Sequence, residues 1–207
     1  MPTRRFGLTH LNNHLLCAID CETTGTQAGH HDLIQICVLP LDSEIRPIKE
    51  VRPFYMDIQP KRPENIDPEA MRKSRAKICH SSIHGIEAWS AYDLFEEWKN
   101  EISATGYLPS GKRIVPLAHN WPFDREFIID WMGWMSFDFH FDGRYRDTMV
   151  AANFANDRSD FHNEHLPYAK VELKYLTSLL HVDHENAHDA LQDCLATAEL
   201  YRRLCCQ

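Results

Sequence analysis

The stretch Cys17-Ala-Ile-Asp-Cys-Glu-Thr-Thr-Gly25 places two carboxylates, Asp20 and Glu22, one residue apart at the end of an apolar run. Alternate residues of a strand share a face, so this pair presents its acids side by side. Like charges that close raise each other's proton affinity unless a cation neutralises them. Hard divalent ions such as Mg2+ or Mn2+ bind carboxylate and water oxygens, which gives the pair the chemistry of a metal cradle. An Asp-x-Glu at a strand end is also a common solvated turn, so a site needs further groups.

Two later stretches supply them. AHNWPFDREFI (118–128) sets His119 and Asn120 at a strand exit and Asp124 in the first turn of a helix opened by Pro122. A carboxylate there is also favoured by the helix dipole. AHDALQD (187–193) places His188 five residues before Asp193. A helix turns about 100° per residue, so the two cannot share a helical face. His188 therefore belongs at or before the helix start, reaching over from a loop, and imidazole is suited to taking a proton from water near neutral pH. Asp189 fits a supporting role at the helix N-terminus.

The elements that must position these groups follow from periodicity. Residues 14–21, 32–41, 50–58, 112–120 and 137–147 read as strands, with an irregular Pro-rich connection at 59–68. Helices are expected at 69–77, 86–102, 121–132, from near Thr148, at 173–180 and at 187–204. In 86–102, Trp89, Tyr92, Phe95 and Ile102 stand near helical spacing and read as a core stripe. Strands at the front, with helices between and after them, indicate an α/β domain.

The 207 residues fit one domain, 1–207, with a motif-bearing core at about 14–204. A formal charge of -8 disfavours a protein that coats nucleic acid non-specifically but leaves room for local grip on a few nucleotides. Seven cysteines with no C-x-x-C pair suggest neither a disulfide framework nor a zinc ribbon and fit a reducing cytosol. Polar residues Asn12, Asn13 and His14 interrupt any signal-peptide core after the early arginines, and no apolar run is long enough to span a bilayer. A soluble, cytoplasmic protein with no membrane partner is expected. His181, His184 and His188 are zinc-ligand types, yet no cysteine or fourth ligand stands at finger-like spacing, so structural zinc is not expected.

In order, IDCETTG (19–25), HNWPFD (119–124) and HDALQD (188–193) resemble the three sequence blocks of the DEDDh, or DnaQ-like, 3'-to-5' exonucleases of the RNase H-like superfamily. The similarity spans residues 17–196. A histidine five positions before the last aspartate is similar to the DEDDh branch, since the sister branch has a tyrosine four positions before it, where this chain has Asp189. The resemblance implies a five-stranded mixed sheet with helices on both faces, and two Mg2+ or Mn2+ ions held by Asp20, Glu22, Asp124 and Asp193. Asp20 would bridge both ions, and His188 would be the general base.

The resemblance also places Thr23, Thr24 and Gly25 at the terminal nucleotide and its 3'-hydroxyl, with His119 and Asn120 on the substrate side. IHGI (83–86) resembles a stretch that supplies a histidine near the last base, here His84. Around Asp124, Trp121 and Phe123 offer apolar walls for a stacked base, with Trp121 the more open, whereas Phe127 reads as helix core. The implied reaction is hydrolysis from the 3' end of single-stranded DNA or RNA, releasing nucleoside 5'-monophosphates. An oligoribonuclease-type enzyme of the same fold and a non-catalytic nucleic-acid- or partner-binding module are the alternatives. The motifs do not distinguish the sugars, nor a polymerase partner from a homo-oligomer.

Overall fold

The computed structural model describes residues 7–184 and 188–206. Ala187, the first residue of the expected last helix, lies outside them, as do residues 3–6 of the arginine-bearing start. Five strands form one mixed sheet: β1 (Leu15–Thr23), β2 (Leu33–Pro40), β3 (Phe54–Asp57), β4 (Ile114–Ala118) and β5 (Arg146–Asp147), in the order β3-β2-β1-β4-β5. β2 runs antiparallel to both its neighbours, while β4 runs parallel to β1 and β5.

Both sheet faces are covered, which is why β1 and β2 read as continuous apolar runs instead of alternating ones. Leu15, Cys17, Ile19 and Cys21 of β1 point into the larger core with α2 (Ala88–Thr105), α3 (Trp121–Met132) and α4 (Trp134–His140). Leu16 and Ala18 point the other way, onto Ala190, Cys194 and Ala198 of α7 (Ala190–Cys205). Those three small residues, four apart, let α7 lie close on the sheet. A third cluster ties α5 (Thr148–Phe161) and α6 (Leu173–Leu179) to the back of α7 through Ala152, Leu176, Ala196 and Leu200. Asp20 and Glu22 continue the set of residues that faces α7.

Three expectations change. The segment 137–147 is not one strand: α4 occupies its first part, Phe141 makes a single bridge to Ile114 of β4, and a two-residue strand forms only at Arg146–Asp147. Its apparent alternation comes from Phe137, Phe139 and Phe141, but Phe137 and Phe141 pack together at 5.1 Å, one helical turn apart, while Phe139 is exposed. Trp89 leaves the expected core stripe and is 67% exposed. Steps of three residues lose about 60° each, so by Phe95 it has drifted off the buried face formed by Ala88, Ala91, Phe95, Trp98 and Ile102. The short helix expected at 69–77 is longer, α1 (Pro68–His84), with non-helical backbone at Ser74; Asp67 caps it by accepting from the Glu69 and Ala70 amides.

Candidate active site

The acids converge at the C-terminal end of β1. Asp20 and Glu22 come from the strand and Asp193 from the first turn of α7, and one ligand oxygen of each lies within 4.8 Å of the others. Asp124, 3% exposed, approaches from α3, where the backbone N–H and the thiol of Cys21 donate to its carboxylate. α3 is aimed there by Asp147, whose Oδ2 accepts from the Trp121 amide at 2.8 Å and whose Oδ1 accepts from Asn120 at 3.2 Å. The same carboxylate caps α5 through the Met149 and Val150 amides, so one buried acid fixes two helix starts beside the site.

Loss of water around these carboxylates is the main force on their protonation. It drives Asp20 well above the usual carboxylate range, with Asp124, Asp193 and Glu22 adding repulsion. It lifts Glu22 to about 7 against the opposing pull of Lys77, and Asp124 to about 8 against the hydrogen bonds from Cys21. A hard divalent cation would relieve this crowding and match the all-oxygen donor set, so the residues fit the Mg2+ or Mn2+ that the sequence suggested.

The remaining predicted residues divide. His119 stands at the end of β4, its Nδ1 hydrogen-bonded to the Thr148 hydroxyl at 2.8 Å. Desolvation lowers its pKa, opposed by nearby Asp147 and Asp193. Asn120 takes the left-handed conformation, φ 68°, that turns the chain from β4 into α3. Thr23 donates its hydroxyl to the Gly25 carbonyl at 2.6 Å. Thr24 is fully buried, and its hydroxyl accepts from the Asp32 amide at 2.8 Å, so its side chain shapes the loop. Gly25 is needed for packing, since a Cβ there would fall 2.5 Å from the His31 ring.

The exposure expected of Trp121 is corrected. Expected as the more open wall, it is 3% exposed and stacks on Phe137 at 6.3 Å, because its place at the start of α3 turns it into the large core. Phe123 is half-buried against Phe127, 5.1 Å away, and Phe127 is core as expected. His84 is exposed at the end of α1 with its ring 4.9 Å from that of His80. His188 precedes the helix, as its spacing required, with φ 70°. It is exposed and lines a cavity of about 560 Å³ with Lys77, His80 and Asp189, outside the three-acid group.

Sequence reasoning missed the groups that hold this constellation together. Gln35, 2% exposed and paired with Glu22 across β1 and β2, uses its full hydrogen-bonding capacity. Its amide nitrogen donates to Tyr55 at 3.0 Å and Asp57 at 2.8 Å, and its oxygen accepts from Lys77 at 2.6 Å and the Ala190 amide at 3.0 Å. Asp189, expected to support the N-terminus of α7, does cap it, and also accepts from the Tyr55 hydroxyl at 2.6 Å and Lys77 at 3.2 Å. Register on β2 and β3 was the available signal for Gln35 and Tyr55; nothing local marked Lys77. His184 also entered only as a rejected zinc ligand, yet its Nε2 lies 2.5 Å from Asp193 Oδ1.

Residues 17–77 match the RNase T exonuclease family model. No curated protein sequence matches the chain. Among solved structures, the chain resembles E. coli exonuclease I in complex with a dT13 oligonucleotide, at TM-score 0.64 and 19% identity over 91% of this chain and 40% of that one. It also resembles exonuclease I of Methylocaldum szegediense, at TM-score 0.65 and 20% identity over 92% of this chain and 40% of the other. Cell-death related nuclease 4 superposes at TM-score 0.66 and 16% identity over 92% of this chain and 63% of that nuclease. The chain thus spans about two fifths of the length of the exonuclease I proteins. None of its described helices is long and apolar enough to cross a membrane. Residues 17–77, which carry Asp20 and Glu22, thus match the exonuclease family model, and over about nine tenths of its length the chain has the mixed α/β fold of these exonuclease structures.

Proposed function

We propose that the protein is a metal-dependent 3'-to-5' exonuclease that removes nucleoside 5'-monophosphates from single-stranded DNA. The observation that carries this reading is the convergence of Asp20, Glu22 and Asp193, with Asp124 beside them, at the end of β1. Ionised carboxylates this crowded and this poorly solvated repel one another, and a bound cation relieves that repulsion. That solved exonuclease I structures contain dT13 or a zinc ion with single-stranded DNA supports both the substrate class and a metal.

Asp20, Glu22, Asp124 and Asp193 would hold two divalent ions, Mg2+ or Mn2+, which when bound lower the pKa of water and stabilise charge on the phosphate and the leaving 3'-oxygen. The chain supplies the rest. His188 takes the proton from the attacking water, reaching inward from its place before α7. The Thr23 to Gly25 turn, through its backbone and the Thr23 side chain, receives the 3' end, and Phe123 forms an apolar wall for the last base. His119 and Asn120 lie on the side where the scissile phosphate enters.

The test uses a 5'-labelled single strand with Mg2+ or Mn2+. The expected products are a ladder shortened from the 3' end and free mononucleotides, with a circular strand left intact. Failure to release mononucleotides while the strand still binds would overturn the reading and favour a binding module. Matched DNA and RNA oligomers in the same assay decide the sugar, and faster cleavage of RNA would move the protein to the oligoribonuclease-type alternative.

A further inference from the structure

We propose that His184 is a positioning residue that fixes the carboxylate of Asp193 for metal binding, an inference that rests on the metal-dependent reading above. The chain builds this contact deliberately. After α6 the backbone reverses at His181, φ 53°, and Val182 is locked by its amide donating to the Thr177 carbonyl at 2.8 Å and by burial in the cluster beneath α7. His184 is thereby carried into the groove between α6 and α7, where its side chain is only 8% exposed.

There Nε2 meets Asp193 Oδ1 at 2.5 Å, and Nδ1 lies 3.4 Å from the hydroxyl of buried Thr177. An ionised Asp193 accepts, which assigns the proton to Nε2, while the Thr177 hydroxyl beside Nδ1 donates to the Leu173 carbonyl at 2.9 Å. A carboxylate with one oxygen engaged by a fixed donor cannot rotate freely. It presents its remaining lone pairs in one direction, the arrangement by which outer groups tune the ligands of a metal site. His119 lies on the same side, close enough to feel the charges of both Asp193 and His184. His188, by contrast, lines the cavity against α1. The two histidines of this loop then have separate tasks: His184 holds a ligand, and His188 moves a proton.

Calorimetric titration of the nuclease with MnCl2 distinguishes these tasks without relying on turnover. His184→Ala is expected to weaken Mn2+ binding about 10- to 100-fold. His184→Gln, which keeps a side-chain N–H donor, should recover most of that loss. At saturating Mn2+ the Ala variant should return to within a few-fold of the normal kcat. His184→Leu fills the groove without a donor and should repeat the Ala result, so the comparison survives if the smaller side chain impairs folding. His188→Ala should bind Mn2+ normally while losing turnover. Unchanged Mn2+ binding in both His184→Ala and His184→Leu would overturn the proposal, as would a kcat that stays orders of magnitude low at saturating metal, which would make His184 the base. If the unmodified protein binds no Mn2+ at all, the metal-dependent reading itself fails, an outcome separable from the loss of His184's role alone.

Discussion

At Asp20 the loss of water and the repulsion of three other acids act in the same direction, and the metal-free fold bears that cost. Its pH dependence has a worked sign. Glu22 and Asp124 are raised to about 7 and about 8, so the folded chain keeps protons that the unfolded chain has already released, and their stabilising contribution is lost as pH rises through those values. His119 and His140 are shifted down, His140 to about 4, so below about 6.5 their contribution rises with pH and opposes the acids. Between pH 6.5 and 8 the histidine contribution fades and the two acids dominate. Melting in chelator should therefore show Tm falling over that interval and recovering on addition of Mn2+; a flat or rising metal-free Tm would contradict the assignment. Asp20→Asn should raise the metal-free Tm at pH 8 while lowering mononucleotide release by about 10²- to 10³-fold, the range for losing one group that stabilises transition-state charge. An activity loss without the gain in apo stability would show that crowding at Asp20 had been overestimated. These acids were legible in the sequence because their spacing in each block is local and chemically distinctive. The burial of Thr24 and Trp121 was not, because it depends on Asp32 and on the α4 aromatics, which pack only after the chain has folded back.

Elements position these residues through two polar joints. Gln35 binds β3, α1 and α7 to β2 beside Glu22, and Asp147 joins the starts of α3 and α5 beside Asp124. Gln35→Leu keeps comparable bulk but leaves the buried Ala190 amide without its acceptor and Lys77 with Asp189 alone, at a cost of about 2–3 kcal/mol in urea unfolding. Asp147→Ala orphans the buried Trp121 amide and uncaps α5, and should cost about 2–3 kcal/mol as well. Measured losses below about 0.5 kcal/mol would mean that water replaces these joints. The periodic elements, β1, β2, β4, α3 and the body of α7, were readable because each carries its own pattern. The joints were not: Gln35 and Lys77 are 42 residues apart, Gln35 and Ala190 are 155 apart, and only the packing of α1 and α7 against the sheet brings them together. α4 was misread because three phenylalanines at alternate positions imitate a strand until the core selects two of them.

For the whole molecule, the governing quantity is charge. A chain of formal charge -8 repels a polyanion, so the proposed function requires grip on only a few phosphates near the site. α1 bears Arg72, Lys73, Arg75 and Lys77, yet Lys73 is paired with Glu69 at 2.7 Å, Arg72 approaches the same acid at 3.5 Å, and Lys77 is engaged by Gln35 and Asp189. That leaves no continuous free basic track along this helix to follow a long strand. Single-strand binding weakens with salt by about 0.7 log units per log unit for each phosphate neutralised, so two or three contacts give a slope of about -1.5 to -2. Fluorescence anisotropy of a labelled single strand with Asp20→Asn, at fixed Mn2+ and varied KCl, measures that slope without degrading the ligand. A shallow slope agrees with an enzyme that holds an end. A slope steeper than about -4 would require roughly six phosphate contacts, and hence an extended binding path that the charge of this chain argues against.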